Sequence, residues 1–251
     1  MSQAEATRAG FAAVIGAPNA GKSTLVNALV GRKVSIVTAK VQTTRFQVRG
    51  VMMRGAAQVV LVDTPGVFDP RRRLDRAMVA AAWDGATQAD AIVHVVDAAA
   101  QAKGTGKSVD DVGRVIEGLK THGLNAVLVL NKIDLIQRDQ LLALAQDLHE
   151  TGVYTDVFMI SAAQGDRTED LARALADAMP QSPLLYPEDQ IADLPQRLLA
   201  AEITREKLYL RVHDELPYAL TVETESWKTL KDGSVRIEQT IFVEREGHKP
   251  I

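Results

Sequence analysis

The sequence predicts an α/β fold in which helices cover both faces of a mostly parallel sheet, followed by a smaller α+β region. Three observations support this prediction. Short apolar runs alternate with helical patterns as far as about residue 180, a proline-rich stretch follows, and strand-like alternation occupies the end of the chain. Strands buried on both faces read as continuous apolar runs, and strand–helix alternation is typical of a parallel sheet.

The elements before residue 180 are predicted from their periodicity. Strands are expected at 12–15, 59–62, 91–96, 125–130 and 157–160. Helices are expected at 24–30, 75–86, 110–120, 140–149 and 168–178. In the last of these, Leu171, Leu175 and Met179 fall on one helical face, which we interpret as core.

The chain is predicted to divide into a disordered N-terminus (1–8), a first domain (9–180), a linker (181–195) and a second region (196–251). Three prolines, Pro180, Pro183 and Pro187, occur without periodicity and indicate the linker. The second region is predicted to hold a helix at 196–214 and two alternating strands around the hairpin signal Asp232-Gly233.

Composition restricts the function classes. The chain has 251 residues, 46% of them hydrophobic, with no cysteine and a formal net charge of −3. The lack of cysteine excludes disulfides and thiolate metal sites. Because the chain has no excess of basic residues, its charge does not indicate binding to nucleic acid. The most apolar stretch is interrupted by His94 and Asp97, so no membrane span is predicted. Residues 1–10 lack the apolar core of a signal peptide, so none is predicted. We expect a cytoplasmic protein.

A phosphate-binding loop is predicted between the first strand and the first helix. Its residues are Gly16, Ala17, Pro18, Asn19, Ala20, Gly21, Lys22, Ser23 and Thr24. Glycines let the backbone wrap around a phosphate, and the helix N-terminus presents free amides to it. Lys22 is expected to reach the β- and γ-phosphates, and the Ser23 hydroxyl to ligate Mg²⁺.

A second motif follows the strand at 59–62 and contains Asp63, Thr64, Pro65 and Gly66. Asp63 can hold Mg²⁺ through water, and the Gly66 amide can meet a γ-phosphate. A threonine between the two motifs is expected to complete the magnesium shell; Thr44 is preferred and Thr43 is the alternative. Residues 32–50 and 66–76 are then expected to order around the γ-phosphate. Arg71, Arg72 and Arg73 are interpreted as a solvated loop rather than a catalytic finger.

A third motif predicts recognition of guanine. Asn131, Lys132 and Asp134 follow the strand at 125–130, and Ser161, Ala162 and Ala163 follow the next one. The Asp134 carboxylate can accept two hydrogen bonds from guanine, Asn131 can read the other edge, and the Lys132 stem can lie along the ring. Adenine would leave the carboxylate unpaired, so the pattern favours GTP and GDP. A backbone amide near Ala162 can meet the guanine oxygen.

These motifs, in this order and each after a strand, resemble the P-loop GTPase superfamily. One departure concerns catalysis: Val67 stands where Ras-like proteins have a water-positioning glutamine. In a subset of these GTPases, an asparagine at the position of Asn19 helps to hold K⁺. Asn19 and Val67 together give the hypothesis of K⁺-assisted hydrolysis, with loop capping by Asn19 as the alternative.

Almost the whole chain is similar to the Era family of bacterial ribosome-assembly GTPases. Stretches 16–27, 41–45 and 62–67 carry the resemblance, and the tail stretches 202–208, 215–218 and 241–247 are the most discriminating. The resemblance implies a GTPase domain followed by a KH-type RNA-binding domain. It also implies binding to small-subunit rRNA and the 30S subunit, and peripheral contact with the inner membrane. We expect a monomer.

One feature of that family is missing after residue 180. KH domains clamp nucleotides with a Gly-x-x-Gly loop, which in the family would follow Ile251. The KH-like region is therefore expected to be incomplete and its specific RNA binding weak. Other candidate functions are a related GTPase of tRNA modification or general ribosome biogenesis, a nucleotide kinase, and a binding module without turnover.

Overall fold

A six-stranded sheet organises the first part of the chain in a computed structural model that describes residues 6–38, 44, 47–70, 73–211 and 220–243. Its strands are β1 (Arg8–Ile15), β2 (Val48–Arg54), β3 (Ala57–Asp63), β4 (Ala91–Asp97), β5 (Ala126–Asn131) and β6 (Tyr154–Met159). The order is β2-β3-β1-β4-β5-β6, and only β2 pairs antiparallel to its neighbour. The predicted mostly parallel α/β sheet is confirmed.

Helices cover both faces of this sheet. They are α1 (Lys22–Val30), α2 (Arg73–Thr87), α3 (Ala98–Gln101), α4 (Lys107–His122), α5 (Arg138–His149) and α6 (Thr168–Ala178), with a 3-10 turn at Ile133–Leu135. One buried cluster joins α1 and α6 to the sheet, and a second joins α2, α4 and α5 to the opposite face. Leu171, Leu175 and Met179 lie in the first cluster, as their spacing predicts.

The amphipathic pattern of each helix explains its position, since burying that face supplies most of the helix's stability. Leu25 and Val26 of α1 are fully buried against the sheet, and so are Val115 and Leu119 of α4. Burying one such side chain contributes about 2 kcal/mol. Gly31 and Gly123 end α1 and α4 in the left-handed conformation.

The segment that follows α6 is held against the edge of the sheet. Gln58 is fully buried, and its Oε1 accepts the backbone amides of Leu185 and Tyr186 at 2.8 and 2.9 Å. The Val51 amide donates to the Ile191 carbonyl at 2.9 Å, and the Asp193 amide donates to the Arg49 carbonyl at 3.0 Å. Because β2 has a free edge, this extended segment can satisfy its backbone groups there.

The chain forms two compact units. The first contains the six-stranded sheet and extends to Asp193. The second contains α7 (Gln196–Arg211) and the antiparallel pair β7 (Leu220–Thr229) and β8 (Val235–Val243). Ala201 and Tyr209 of α7 are buried with Leu220 and Val222 of β7. The described residues Ile36, Val37 and Thr38 also group with this unit, where the Val37 amide donates to Glu206 Oε1 at 3.0 Å.

Two differences from the sequence-based expectations concern local structure. Strand β2 was not predicted, and its first residues belong to the range 32–50 that was expected to order around the γ-phosphate. The strands also extend beyond their apolar runs, because residues such as Asp63 and Asn131 take part in the ladders. Among the described residues, no helix is long and apolar enough to cross a membrane.

Candidate nucleotide-binding site

The loop between β1 and α1 is shaped by backbone conformations that favour glycine. Gly16 has φ 148°, and a Cβ there would lie 2.3 Å from the Val95 carbonyl oxygen. Gly21 has φ 99°, and a Cβ there would lie 2.2 Å from Asn131 Nδ2. Side chains at these positions would both strain the backbone and clash with fixed neighbours. The loop therefore has the close-packed form that a phosphate cradle needs, with the N-terminus of α1 at its end.

Lys22 lies under this loop and is 7% exposed. Its Nζ donates to the carbonyl oxygens of Gly16 at 3.1 Å and Ala17 at 3.0 Å. Burial lowers the pKa of Lys22 from 10.5 to about 8, and the charge of Asp63 acts in the opposite direction. A buried ammonium that contacts two carbonyls and lies near a carboxylate is well placed to pair with an anionic phosphate.

Three side-chain oxygens converge beside Lys22. Ser23 Oγ donates to Asp63 Oδ2 at 2.7 Å, Thr44 Oγ1 lies 3.1 Å from Ser23 Oγ, and Thr44 Oγ1 donates to Asp63 Oδ2 at 3.4 Å. Burial raises the pKa of the Asp63 carboxyl, while the Ser23 hydrogen bond and the charge of Lys22 lower it. Thr44, the preferred threonine, is thus part of the cluster, whereas Thr43 lies outside the described residues.

This cluster fits a divalent cation that prefers oxygen ligands. Asp63 Oδ1 and Ser35 Oγ are buried and make no hydrogen bond of good geometry in the described part of the chain, although the Ser35 hydroxyl lies near enough to lower the pKa of the Asp63 carboxyl. A buried carboxylate oxygen with so weak a partner is costly unless a cation or a water meets it. One carboxylate and two hydroxyls form the kind of incomplete oxygen set that Mg²⁺ completes with waters and substrate phosphates.

The residues after Asp63 are fixed to the phosphate loop. Thr64 is fully buried and its hydroxyl donates to the Val14 carbonyl at 2.8 Å. The Val67 amide donates to the Gly16 carbonyl at 3.1 Å. A Cβ at Gly66 would lie 3.1 Å from the Pro18 ring, so a glycine allows the two loops to approach each other. Arg71 and Arg72 lie outside the described residues, and Arg73 begins α2.

Asn131 joins three loops rather than standing free at the end of β5. It is 2% exposed, its Nδ2 donates to the Ala20 carbonyl at 2.9 Å, and its Oδ1 accepts the Ala162 amide at 3.0 Å. Both polar atoms thus contact the loop framework, and because Nδ2 carries a second hydrogen, the expectation that Asn131 also reads a base edge stays a prediction. Ser161 is buried beside it, and Ala163 is exposed.

Lys132 and Asp134 surround the expected base position. Lys132 has a left-handed backbone with φ 64°, and its Nζ donates to the Asn19 carbonyl at 2.8 Å and to Asp97 Oδ2 at 2.5 Å. Asp134 lies in the 3-10 turn and is exposed. Sequence reasoning missed Asp97, although it stands at the end of β4, on the sheet edge where the other motif residues lie.

The fold and this arrangement define a P-loop GTPase. Phosphate loop, oxygen cluster and base motif all occur at the carboxyl ends of parallel strands, which is where such sheets bind ligands. Residues 11–132 match a family model described as "50S ribosome-binding GTPase".

Known proteins extend this assignment to almost the whole chain. GTPase Era of Caulobacter vibrioides is 65% identical over 253 residues, covering 98% of this chain and 80% of that protein. GTPase Era of Maricaulis maris is 64% identical over 252 residues, covering 97% of this chain and 80% of that protein. The chain belongs to the Era family of GTPases and is therefore a hydrolase acting on GTP.

Solved Era structures have the same fold. One is an Aquifex aeolicus Era variant bound to GDP and AlF4⁻, with TM-score 0.88 and 35% identity over 97% of this chain and 82% of that chain. Another is Era in complex with MgGDPNP and nucleotides 1506–1542 of 16S ribosomal RNA, with TM-score 0.87 and 35% identity. This match also covers 97% of this chain and 82% of that chain. The resemblance predicted from the sequence is confirmed.

Proposed function

We propose that the chain is a GTP-driven switch that binds small-subunit rRNA and acts in assembly of the small ribosomal subunit. The main support for this proposal is the contact of the Ser23, Thr44 and Asp63 side chains beside the phosphate loop. Through this contact Thr44, which lies between the two phosphate-site motifs in the sequence, becomes part of the nucleotide site. The similarity to an Era structure that contains 16S rRNA supports the choice of partner.

At the phosphate end of the site, the backbone amides from Gly16 to Lys22 cradle the phosphates, except at Pro18, which has no N–H. Lys22 exchanges its two carbonyl contacts for phosphate oxygens. Ser23 and Thr44 would hold Mg²⁺ directly and Asp63 would hold it through water. Bound there, Mg²⁺ would neutralise charge on the β- and γ-phosphates. Thr44 already contacts Ser23 and Asp63. Mg²⁺ and the γ-phosphate would strengthen this hold on Thr44, and hydrolysis would weaken it.

The base end depends on Asp134, whose exposed carboxylate accepts hydrogen bonds from guanine. Lys132 supplies an apolar stem along the ring, and the backbone near Ala162 meets the guanine oxygen. Asn131 acts by holding Ala20 and Ala162 in place, with hydrogen bonds of 2.9 and 3.0 Å. In this assignment Asn131 fixes the distance between the phosphate and base ends of the site.

Hydrolysis is proposed to use a monovalent cation in place of a glutamine. Val67 is 3% exposed and has no group that could orient water, whereas the Gly66 amide can meet the γ-phosphate. Asn19 is proposed to help hold K⁺, which stabilises the negative charge that develops in the transition state. GTP turnover should be faster in potassium than in sodium salts, and equal rates would contradict this role.

The second unit is proposed to belong to a KH-type domain that begins near residue 196. The helix and hairpin give it the α+β character expected of such a domain, but it has no Gly-x-x-Gly loop after residue 180. Residues 1–251 should therefore bind RNA weakly in a gel-shift assay. Tight, sequence-specific binding would contradict this part of the proposal.

Co-sedimentation with purified 30S subunits tests the proposed role. The chain is incubated with GTP, a non-hydrolysable analogue or GDP, and the pelleted fraction is compared. We expect nucleotide-dependent association, and Ser23→Ala should remove the difference between nucleotides. Equal pelleting in all nucleotide states would contradict a switch that acts on the subunit.

The protein is further proposed to be a cytoplasmic monomer with peripheral contact with the inner membrane. Fractionation of cells in low and high salt tests the location: a peripheral fraction should be released by salt. Light scattering after size exclusion tests the oligomeric state, and a mass of twice 27.2 kDa would contradict a monomer.

A further inference from the structure

Asp97 is a mostly buried carboxylate at the nucleotide edge that belongs to none of the motifs. Its side chain is 15% exposed. Oδ1 accepts the Ala100 amide at 2.9 Å and so caps α3, while Oδ2 accepts Lys132 Nζ at 2.5 Å. Both oxygens therefore have a defined donor, and the N-cap fixes the orientation of the carboxylate.

Lys132 is held at both its backbone and its ammonium group. The left-handed backbone (φ 64°) turns the chain at the end of β5, and Nζ reaches both Asp97 and the Asn19 carbonyl at 2.8 Å. A free lysine side chain has several rotatable bonds, and ordering it on ligand binding lowers affinity. A partner that orders it beforehand removes that cost.

The geometry points to Asp97 as a positioning residue for guanine-nucleotide binding. Asp97 holds Lys132 extended across the site, so that the lysine stem forms a ready surface for the base and the ammonium fixes the Asn19 carbonyl in the phosphate loop. The base and phosphate ends of the site are thereby joined through one side chain. The inference rests on the proposed assignment of Lys132 and Asp134 to the base.

The burial of the Asp97–Lys132 ion pair determines how strongly this contact affects nucleotide binding. Exposed ion pairs have little effect, but Lys132 and Asp97 are only 33% and 15% exposed. Hydrogen bonds to charged groups in such settings change an equilibrium by about tenfold. We therefore expect nucleotide release to accelerate on the order of tenfold when Asp97 loses its charge.

Release of a fluorescent GDP analogue from the full chain, followed by stopped flow at saturating Mg²⁺, tests this role. Asp97→Asn keeps an oxygen for the Ala100 amide but removes the charge. Asp97→Ser keeps a cap and is too short to reach Lys132. Both should release GDP about tenfold faster. In a Lys132→Met background, Asp97→Asn should change nothing further. Asp156→Asn, an exposed aspartate on β6, is the matched control and should release GDP at the parent rate.

The double substitution separates positioning from a structural role. Release rates of Asp97→Asn and Asp97→Ser within about twofold of the parent would overturn the inference, and so would fully multiplicative effects of Asp97→Asn and Lys132→Met. A lowered melting temperature of nucleotide-free Asp97→Ser with unchanged release would assign Asp97 to helix capping alone and also overturn it. Failure of the parent chain to bind GDP would instead contradict the proposed function, and this inference with it.

Discussion

Replacing Lys22 with methionine should change how the stability of the nucleotide-free protein depends on pH. Burial lowers the pKa of Lys22 from 10.5 to about 8 in the folded state. Each pKa unit corresponds to about 1.4 kcal/mol, so the charged lysine costs the folded state about 3 kcal/mol below about pH 8. Between about pH 8 and 10.5, the ordinary pKa of lysine in an unfolded chain, the unfolded chain binds more protons than the folded protein does. The free energy of unfolding therefore rises with pH in this range.

The measurement is the free energy of unfolding in urea, followed by far-UV circular dichroism, for the parent chain and Lys22→Met. Constant differences in packing cancel when the two are compared at several pH values. Between about pH 7 and about pH 10, the parent should gain about 2 kcal/mol relative to Lys22→Met. Lys103→Met, at an exposed position, is the control and should show no such gain.

The direction of the change provides the test. If the parent loses stability relative to Lys22→Met as pH rises, or if the two curves run parallel, Lys22 does not carry a burial-lowered pKa. Titration of the Lys22 side chain by NMR gives an independent value, and a midpoint at or above 10.5 would contradict the structure in the same way.

Three further substitutions test other parts of the structure. Asn131→Ala leaves two buried backbone groups without partners and should lower the unfolding free energy by about 2–4 kcal/mol, measured in urea; a loss under about 0.5 kcal/mol would contradict its joining role. Gly16→Ala places a Cβ against the Val95 carbonyl and should lower the melting temperature and abolish GDP binding; normal binding would contradict the tight loop. His94 is fully buried, and burial lowers its pKa to about 3, so stability should fall as pH drops below about 6.5. His94→Phe should flatten that acid limb, and an unchanged limb would argue against a buried neutral imidazole.

The parallel core could be predicted because each strand is a continuous apolar run and each helix has an apolar stripe. Helix α6 occupies the range that its periodicity predicts, 168–178. Strand β2 was missed because it is an edge strand whose residues include Arg49 and Gly50 and lack a long apolar run. It pairs with β3 as a hairpin through the two-residue turn Gly55-Ala56, where Gly55 has φ 55°, so this turn is a local signal that the prediction did not use.

Most residues of the nucleotide-binding site were predicted from the sequence, but several of their contacts were not. Spacing placed Ser23 and Asp63 at one sheet edge, and the structure joins them with a 2.7 Å hydrogen bond. Asn131 was predicted from sequence to read a base edge, and the structure adds two backbone partners that lie far away along the chain. Asp97 was treated as an interruption of an apolar run, because its partner Lys132 lies after a different strand, β5.

Nucleotide preference of Asp134→Asn is the measurement that bears most directly on the identification of this chain as a guanine-nucleotide switch. Affinities for GDP and xanthosine diphosphate are measured by calorimetry for the parent and the variant. The variant should lose affinity for GDP and gain affinity for xanthosine diphosphate, because an asparagine amide can donate to the xanthine oxygen. A variant that still prefers GDP over xanthosine diphosphate would show that Asp134 does not read the base.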